Sequence, residues 1–195
     1  MCQGIIIKYL TRRNIDCFGV ELANVLPLDG IEGKIVTGTN ALDLDENFRK
    51  KFKTLMLLDV IEHIEDDERF LKSVLAKYEG VTHLVLTVPA RKEIWTNFDD
   101  FYRHFRRYDL KMTEKLINRA GFEVVDIRYV FNSIYLSILL LKKFRKDRPI
   151  KTPAPPNSLV KLLHRIIAVC FIAECWLMQK KLYGSSIFCV ARKKE

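Results

Sequence analysis

The stretch TLMLLDVIEHIEDDERFL, residues 54–71, decides how this chain of 195 residues is read. Residues 54–60 (TLMLLDV) are a near-continuous apolar run, the pattern of a parallel strand buried on both faces. The run closes on an acid, Asp59. Helical spacing then takes over across residues 66–78, with Phe70, Leu71, Val74 and Leu75 on one face. The next run, THLVLTV at 82–88, is β-rich and stops at Pro89. Strand, helix and strand in that order make one right-handed parallel unit.

Working outward, the same alternation continues on both sides. Residues 4–14 read as a helix with apolar Ile6, Ile7 and Leu10 and basic Lys8, Arg12 and Arg13. Residues 17–22 are a short apolar strand ending in an acid, and 33–37 a second short strand. Residues 110–120 form a helix closed by Gly121, and 122–130 the strand after it. The prediction is an α/β fold: a mostly parallel sheet covered by helices on both faces. After residue 131 the pattern changes. Residues 132–144 look helical, 145–158 are rich in Pro and Lys and read as a linker or wrapping loop, and 159–182 form a long apolar helix. Residues 184–192 are a last strand, expected to return antiparallel to the sheet edge. The organisation expected is therefore a core over 1–131, apolar helices with a Pro-rich linker over 132–183, and a final strand with its tail over 184–195.

Composition bounds the class. Hydrophobic residues make up 49% and charged residues 29%, which excludes a disordered chain. The net charge of +9 permits phosphates, nucleic acid or an anionic membrane face and selects none of them. The five cysteines, Cys2, Cys17, Cys170, Cys175 and Cys189, lack CxxC spacing and read as buried reduced thiols of a cytoplasmic protein. Residues 5–7 are too short for the apolar core of a signal peptide. The longest apolar stretch, 166–178, is interrupted by Glu174 and is shorter than the ~20 residues a bilayer requires.

An open parallel sheet binds ligands beyond the carboxyl ends of its strands. Glu21, Asp59 and Pro89 stand at such ends. A carboxylate there can accept two hydrogen bonds from a ribose diol, although an exposed acid at a strand end reads equally well.

Three ordered segments make a resemblance specific: LDVIEHIEDDERFL (58–71), HLVLTVPA (83–90) and HFRRYDLKMTEKLINRAGFEV (104–124). The tail adds Asn132, the prolines Pro153, Pro155 and Pro156 with Asn157, Glu174, and GSSIFCVARK at 184–193. Together they resemble the class I S-adenosylmethionine-dependent methyltransferases of the ubiquinone-biosynthesis-like type (methyltransferase type 11/23), over essentially the whole chain. The tail is similar to a subgroup associated with lipid or glycan modification. The resemblance implies a Rossmann-like methyltransferase sheet, mostly parallel with an antiparallel last strand, and S-adenosylmethionine as cofactor. It implies that Gly4 is the last glycine of the cofactor loop, that Glu21 in CFGVEL (17–22) holds the ribose, that Asn40 and Ala41 lie beside the adenine, and that Asp59 lies near the methionine part. Asn40 stands where the family has Asp, so a charged acceptor is replaced by an amide oxygen. His63 and His104 would face the acceptor. One departure stands out. The family's first strand and its DxGxGxG loop precede its first helix, and this sequence offers only Met1-Cys2-Gln3-Gly4 there. The first strand is therefore expected to be missing, as in a product truncated at its N-terminus.

The chemistry follows from the residue types. Methyl transfer from a sulfonium needs alignment, exclusion of water and, for a hydroxyl acceptor, a base. Histidine has the pKa for that work, which makes His63 and His104 the catalytic candidates, against structural hydrogen bonding by either ring. No metal is assigned. Asp59, Glu62 and His63 have metal-like spacing, with capping or cofactor contact as the simpler reading. Arg103, Arg106 and Arg107 among Phe101, Tyr102, Phe105 and Tyr108 read either as a phosphate grip or as a solvated basic face. The apolar runs 134–141 and 159–178, flanked by Lys142, Lys143, Arg145, Lys146, Arg148, Lys151, Lys180 and Lys181, suit either packing on the sheet or an anionic membrane surface. The expected function is methylation of a small-molecule, glycan or lipid-linked acceptor by a cytoplasmic protein, peripheral on the inner membrane face under the second reading of the tail. A homodimer is compatible with this. The alternative is a catalytically inactive methyltransferase-like interaction or membrane-surface module. No nucleic-acid motif is present, so nucleic acid is not the expected partner.

Overall fold

The computed structural model describes residues 4–144, 158–177 and 182–194. Two compact units result: one from the residues up to 52 together with 77–80, the other from 53–76 together with 81 onward.

The first unit is built on a short parallel ribbon. Helix α1 (Ile5–Thr11) precedes β1 (Gly19–Glu21), which pairs in parallel with β2 (Ile35–Thr37), Gly19 opposite Ile35 and Glu21 opposite Thr37. Gly19 lets the helix approach the strand, since a Cβ there would stand 2.9 Å from Ile7 Cγ1. A 3-10 turn (Ala41–Asp43) and helix α2 (Glu46–Arg49) follow. Each is capped by the residue before it: Leu42 N donates to Asn40 Oδ1 and Phe48 N to Asp45 Oδ1, both at 3.0 Å. Phe18, Phe48 and Phe52 pack edge to face, with centroids 4.8 and 5.2 Å apart along the chain of contacts.

The second unit is a four-stranded sheet with helices. Its strands are β3 (Thr54–Leu58), β4 (His83–Pro89), β5 (Phe122–Val130) and β6 (Ser186–Lys193), in the order β3-β4-β6-β5. β3 and β4 are parallel, and β6 runs antiparallel to both β4 and β5. The sheet is thus mostly parallel with one antiparallel strand, the last in the chain, as the alternation predicts. Helix α3 (Asp67–Lys77) buries Leu71 and Val74, and α5 (Leu110–Arg119) buries Leu116 and Ile117. Leu84, Leu86 and Val88 of β4 meet Ile187, Cys189 and Ala191 of β6 in the core, all fully buried. Between β4 and α5 lie a 3-10 turn (Lys92–Ile94) and helix α4 (Asn97–Phe101). Two apolar helices, α6 (Asn132–Lys143) and α7 (Ser158–Leu177), separate β5 from β6.

Two expectations are corrected. The last strand does not return to the edge; β6 enters between β4 and β5. The sequence Ile187-Phe188-Cys189-Val190-Ala191 is apolar on both faces, as an interior strand must be. Conversely, the apolar run at 54–58 is an edge strand of its sheet. Only Leu57 is buried, and Met56 is exposed. Among the cysteines, Cys189 is buried, whereas Cys170 is exposed and Cys17 half-buried, so burial does not hold for all of them. The prolines of the expected linker lie outside the described residues.

The tail segments are tied together by polar contacts. Ser133 N, in the first turn of α6, donates to Glu174 Oε1 of α7 at 2.5 Å, an acid at a helix N-terminus. Phe131 and Phe171 meet edge to face at 5.2 Å. Asn132 is buried and donates to the Tyr183 carbonyl. Gly184 is required by close approach: a Cβ there would lie 2.4 Å from the Val130 carbonyl oxygen.

Candidate functional site

In the second unit the carboxyl ends of β3 and β4 gather acids and histidines. Asp59 follows β3 directly and takes a left-handed backbone, φ 52°, a conformation that costs a non-glycine residue about 1 kcal/mol or more. β4 supports it there. Asp59 N donates to the Thr87 carbonyl at 3.1 Å, and Thr87 Oγ1 donates to Asp59 Oδ1 at 3.0 Å. The side chain of Asp59 is exposed.

A 3-10 turn (Ile61–His63) comes next, anchored by fully buried Ile61. Glu62 is 1% exposed, and its Oε2 has no hydrogen-bond partner among the described residues. Burial pushes its carboxyl up to about 8, and the charge of Asp59 adds to the shift, against a backbone hydrogen bond that opposes it. His63 is pushed the other way. Burial and the neighbouring His104 lower its pKa, partly offset by backbone carbonyls at Tyr102 and Arg103 and by Asp59.

The opposing wall is the segment from Trp95 to Tyr108. Thr96 and Asp99 form a reciprocal cap at the start of α4, with Thr96 N donating to Asp99 Oδ2 at 2.8 Å. Asp99, also 1% exposed, accepts from His104 Nδ1 at 2.9 Å and from Arg107 Nε and Nη2 at 2.8 and 3.1 Å. Burial alone would raise the Asp99 carboxyl. The hydrogen bonds from His104, Arg107 and Thr96 outweigh it and hold the group well below the usual range. The His63 and His104 rings meet edge to face with centroids 4.8 Å apart. Phe105 N donates to the Glu62 carbonyl at 2.8 Å and joins the two walls.

The two catalytic candidates, His63 and His104, are therefore brought together, with Asp59 close enough to act on the charge of His63. Asp99, which orients His104, was not among the sequence candidates. Its signal was present as a Thr96-x-x-Asp99 capping pattern. Neither reading of the three arginines, a phosphate grip or a solvated basic face, holds for Arg106 and Arg107. Arg107 is spent on Asp99 and the Ala90 carbonyl, and Arg106 on Asp67 and the carbonyls of Ile64 and Glu65. Guanidinium groups drawn partly out of water need such partners, which leaves Arg103 as the exposed member. Tyr108 is likewise buried, its hydroxyl donating to Asp67 at 2.7 Å.

The other cofactor candidates belong to the first unit. Gly4 has φ 86°, a left-handed backbone that favours glycine, and a Cβ there would stand 2.3 Å from Ile31 Cδ1. Glu21 closes β1 at the carboxyl end of the parallel pair, half-buried, with Oε1 accepting from Ala23 N at 3.1 Å. Asn40 Oδ1 caps the turn that follows it, and the Ala41 carbonyl accepts from Tyr78 at 2.8 Å.

No family profile and no curated protein matches the chain. Solved structures do. A S-adenosylmethionine-dependent methyltransferase from Archaeoglobus fulgidus superposes with a TM-score of 0.53 at 16% identity, over 98% of this chain and 83% of the other. Phosphoethanolamine N-methyltransferase 2 of Haemonchus contortus, in complex with S-adenosyl-L-methionine, gives 0.54 at 14% identity over 97% of this chain and 46% of the other. The chain has the Rossmann-like methyltransferase fold. The same fold also matches the [4+2]-cyclase SpnF, with a TM-score of 0.53 at 13% identity over 98% and 72%. A methyltransferase fold therefore fixes the scaffold, and the chemistry has to be argued from the site.

Proposed function

We propose that this chain is a S-adenosylmethionine-dependent methyltransferase acting on a small-molecule, glycan or lipid-linked acceptor. The observation that carries the reading is the Asp99–His104–His63 array at the carboxyl ends of β3 and β4. The carboxylate fixes the His104 ring through Nδ1, and the second imidazole packs against it. That is the arrangement a hydroxyl acceptor needs for its proton to be received.

The first unit fits the cofactor at Glu21. Its second carboxylate oxygen makes no hydrogen bond among the described residues, and the strand end it occupies suits a ribose diol. Asn40 and Ala41 would hold the adenine, where the Asn40 oxygen has one lone pair left after capping. Gly4, without a side chain, would let the cofactor approach the main chain. When bound, S-adenosylmethionine supplies an electrophilic methyl group. The residues of this chain align the acceptor and take up its proton.

The test is calorimetry with S-adenosylmethionine, followed by transfer of labelled methyl to panels of hydroxyl and amine acceptors. Glu21→Ala should weaken cofactor binding roughly 10- to 100-fold, the worth of hydrogen bonds to a charged group. His104→Ala should leave cofactor binding intact and suppress transfer. Absence of cofactor binding in the unaltered chain overturns the reading.

A second reading concerns the setting of the acceptor. Among the described side chains of α7, all but Phe171 and Glu174 are exposed, including Leu159, Leu163, Ile166, Val169, Ile172 and Trp176. No helix among the described residues is long and apolar enough to cross a membrane. Lys142 and Lys143, at the end of α6, and Arg165, on α7 itself, are exposed cations. A peripheral hold on an anionic bilayer, on the inner membrane face, accounts for both features, in an active enzyme or in an inactive surface module. Sedimentation with anionic but not neutral vesicles is the expected outcome, and equal recovery with both sinks it.

A further inference from the structure

Among the described residues, Glu62, His63 and His104 present one ligand atom each, all within 4.8 Å of one another. Glu62 Oε2 is buried without a hydrogen-bond partner among the described residues. Buried carboxylate oxygens are rarely left so, because losing their hydration costs about 1–3 kcal/mol or more. The same carboxylate holds its other oxygen 3.9 Å from His63 Nε2.

The histidines are prepared for a ligand in a particular way. His104 gives Nδ1 to Asp99 at 2.9 Å, which leaves Nε2 as the ring nitrogen to face a partner. A carboxylate that binds one imidazole nitrogen, fixing the ring so that the other can bind a metal, is the recurrent outer support of histidine metal sites. Asp99 is in turn held by Thr96 and Arg107, so the support is itself rigid.

We infer that Glu62, His63 and His104 bind a divalent cation of the zinc class, with Asp99 as the positioning residue for His104. Two imidazoles and one carboxylate match the three-ligand sets of catalytic zinc sites, which keep a position open. They argue against Mg²⁺, which prefers oxygen ligands and near-ideal octahedral geometry. Bonds of about 2.0–2.2 Å place tetrahedral ligands roughly 3.4 Å apart, so closure draws the side chains inward by about an ångström. His63, the most exposed of the three, can supply much of that movement by side-chain rotation. With the ion bound, His104 would have both ring nitrogens engaged, and the positive charge beside the acceptor oxygen, in place of the imidazole, would ease the loss of its proton. That role rests on the methyltransferase reading, whereas the binding site does not.

The test uses Co²⁺ as a spectroscopic probe of the full chain after chelator treatment, with no S-adenosylmethionine present. Equimolar uptake should produce visible ligand-field bands, which Zn²⁺ then displaces. Glu62→Gln and His104→Ala should abolish them. Asp99→Asn should keep the bands and weaken Co²⁺ affinity by about 10- to 100-fold, the usual effect of losing an outer-shell partner. His83→Ala, outside the cluster, should leave uptake unchanged. Circular dichroism confirms folding, and His63→Ala, at the most exposed ligand, repeats the test if a buried variant unfolds. Bands that persist in folded Glu62→Gln and His63→Ala, or no uptake by the unaltered chain, overturn the site. Co²⁺ binding without cofactor binding would leave this site standing and remove the methyltransferase reading. Cofactor binding without Co²⁺ would do the reverse.

Discussion

Glu62 and Asp99 are equally buried acids on facing segments of one unit, and their surroundings are opposites. Asp99 sits in the first turn of α4, and a helix cap, an imidazole and a bidentate guanidinium meet its two oxygens. Glu62 sits in a 3-10 turn anchored by Ile61, with one oxygen unmatched. The first carboxyl is driven down and the second up to about 8, although burial opposes ionisation in both. Burial alone therefore does not decide a carboxylate's state; the donors around it do. Asp99 is a structural hub that also aims His104, and Glu62 is a group held ready for a partner.

The largest effect that would break this contrast is at Asp99. Asp99→Asn removes the charge opposite a buried Arg107, and uncompensated buried charges cost about 3–5 kcal/mol. Thermal denaturation should show a fall of that order, and a loss under 1 kcal/mol would mean that Asp99 is no hub. Glu62→Gln should act in the other direction when the protein is kept free of divalent ions. The folded pKa of Glu62 lies above that of the unfolded chain, so the folded state holds the extra proton between about pH 4.5 and 8. Its contribution to stability is full at the acid end of that window and is lost as pH rises through it. Glu62→Gln should flatten that decline and gain stability near pH 9, and an unchanged slope would refute the shift. Arg103→Ala, at the exposed arginine, should fall within about 0.5 kcal/mol of the parent and calibrates both measurements.

Much of the fold was legible because it follows from short-range pattern. β5 and the start of α6 fall where periodicity put them, and Gly121 ends α5 with φ 87°, as its cap position requires. The placement of β6 was misread because its strand signal says nothing of its neighbours. Its apolar residues on both faces were the clue to an interior position. Likewise the run at 54–58 has the composition of a central strand and lies at the edge of its sheet.

The site divides in the same way. The sequence by itself determined the alternation of strands and helices, the acid at the end of β3, the glycine that ends α5, and the identity of the two histidines, because each depends on residues near in the chain. Only the tertiary structure decided that His63 and His104 meet across 41 residues, that Asp99 holds one of them, that Arg106 and Arg107 are spent inside, and that Glu62 keeps an unmatched oxygen. Burial and long-range hydrogen bonding arise from how distant segments pack, and no local spacing encodes them.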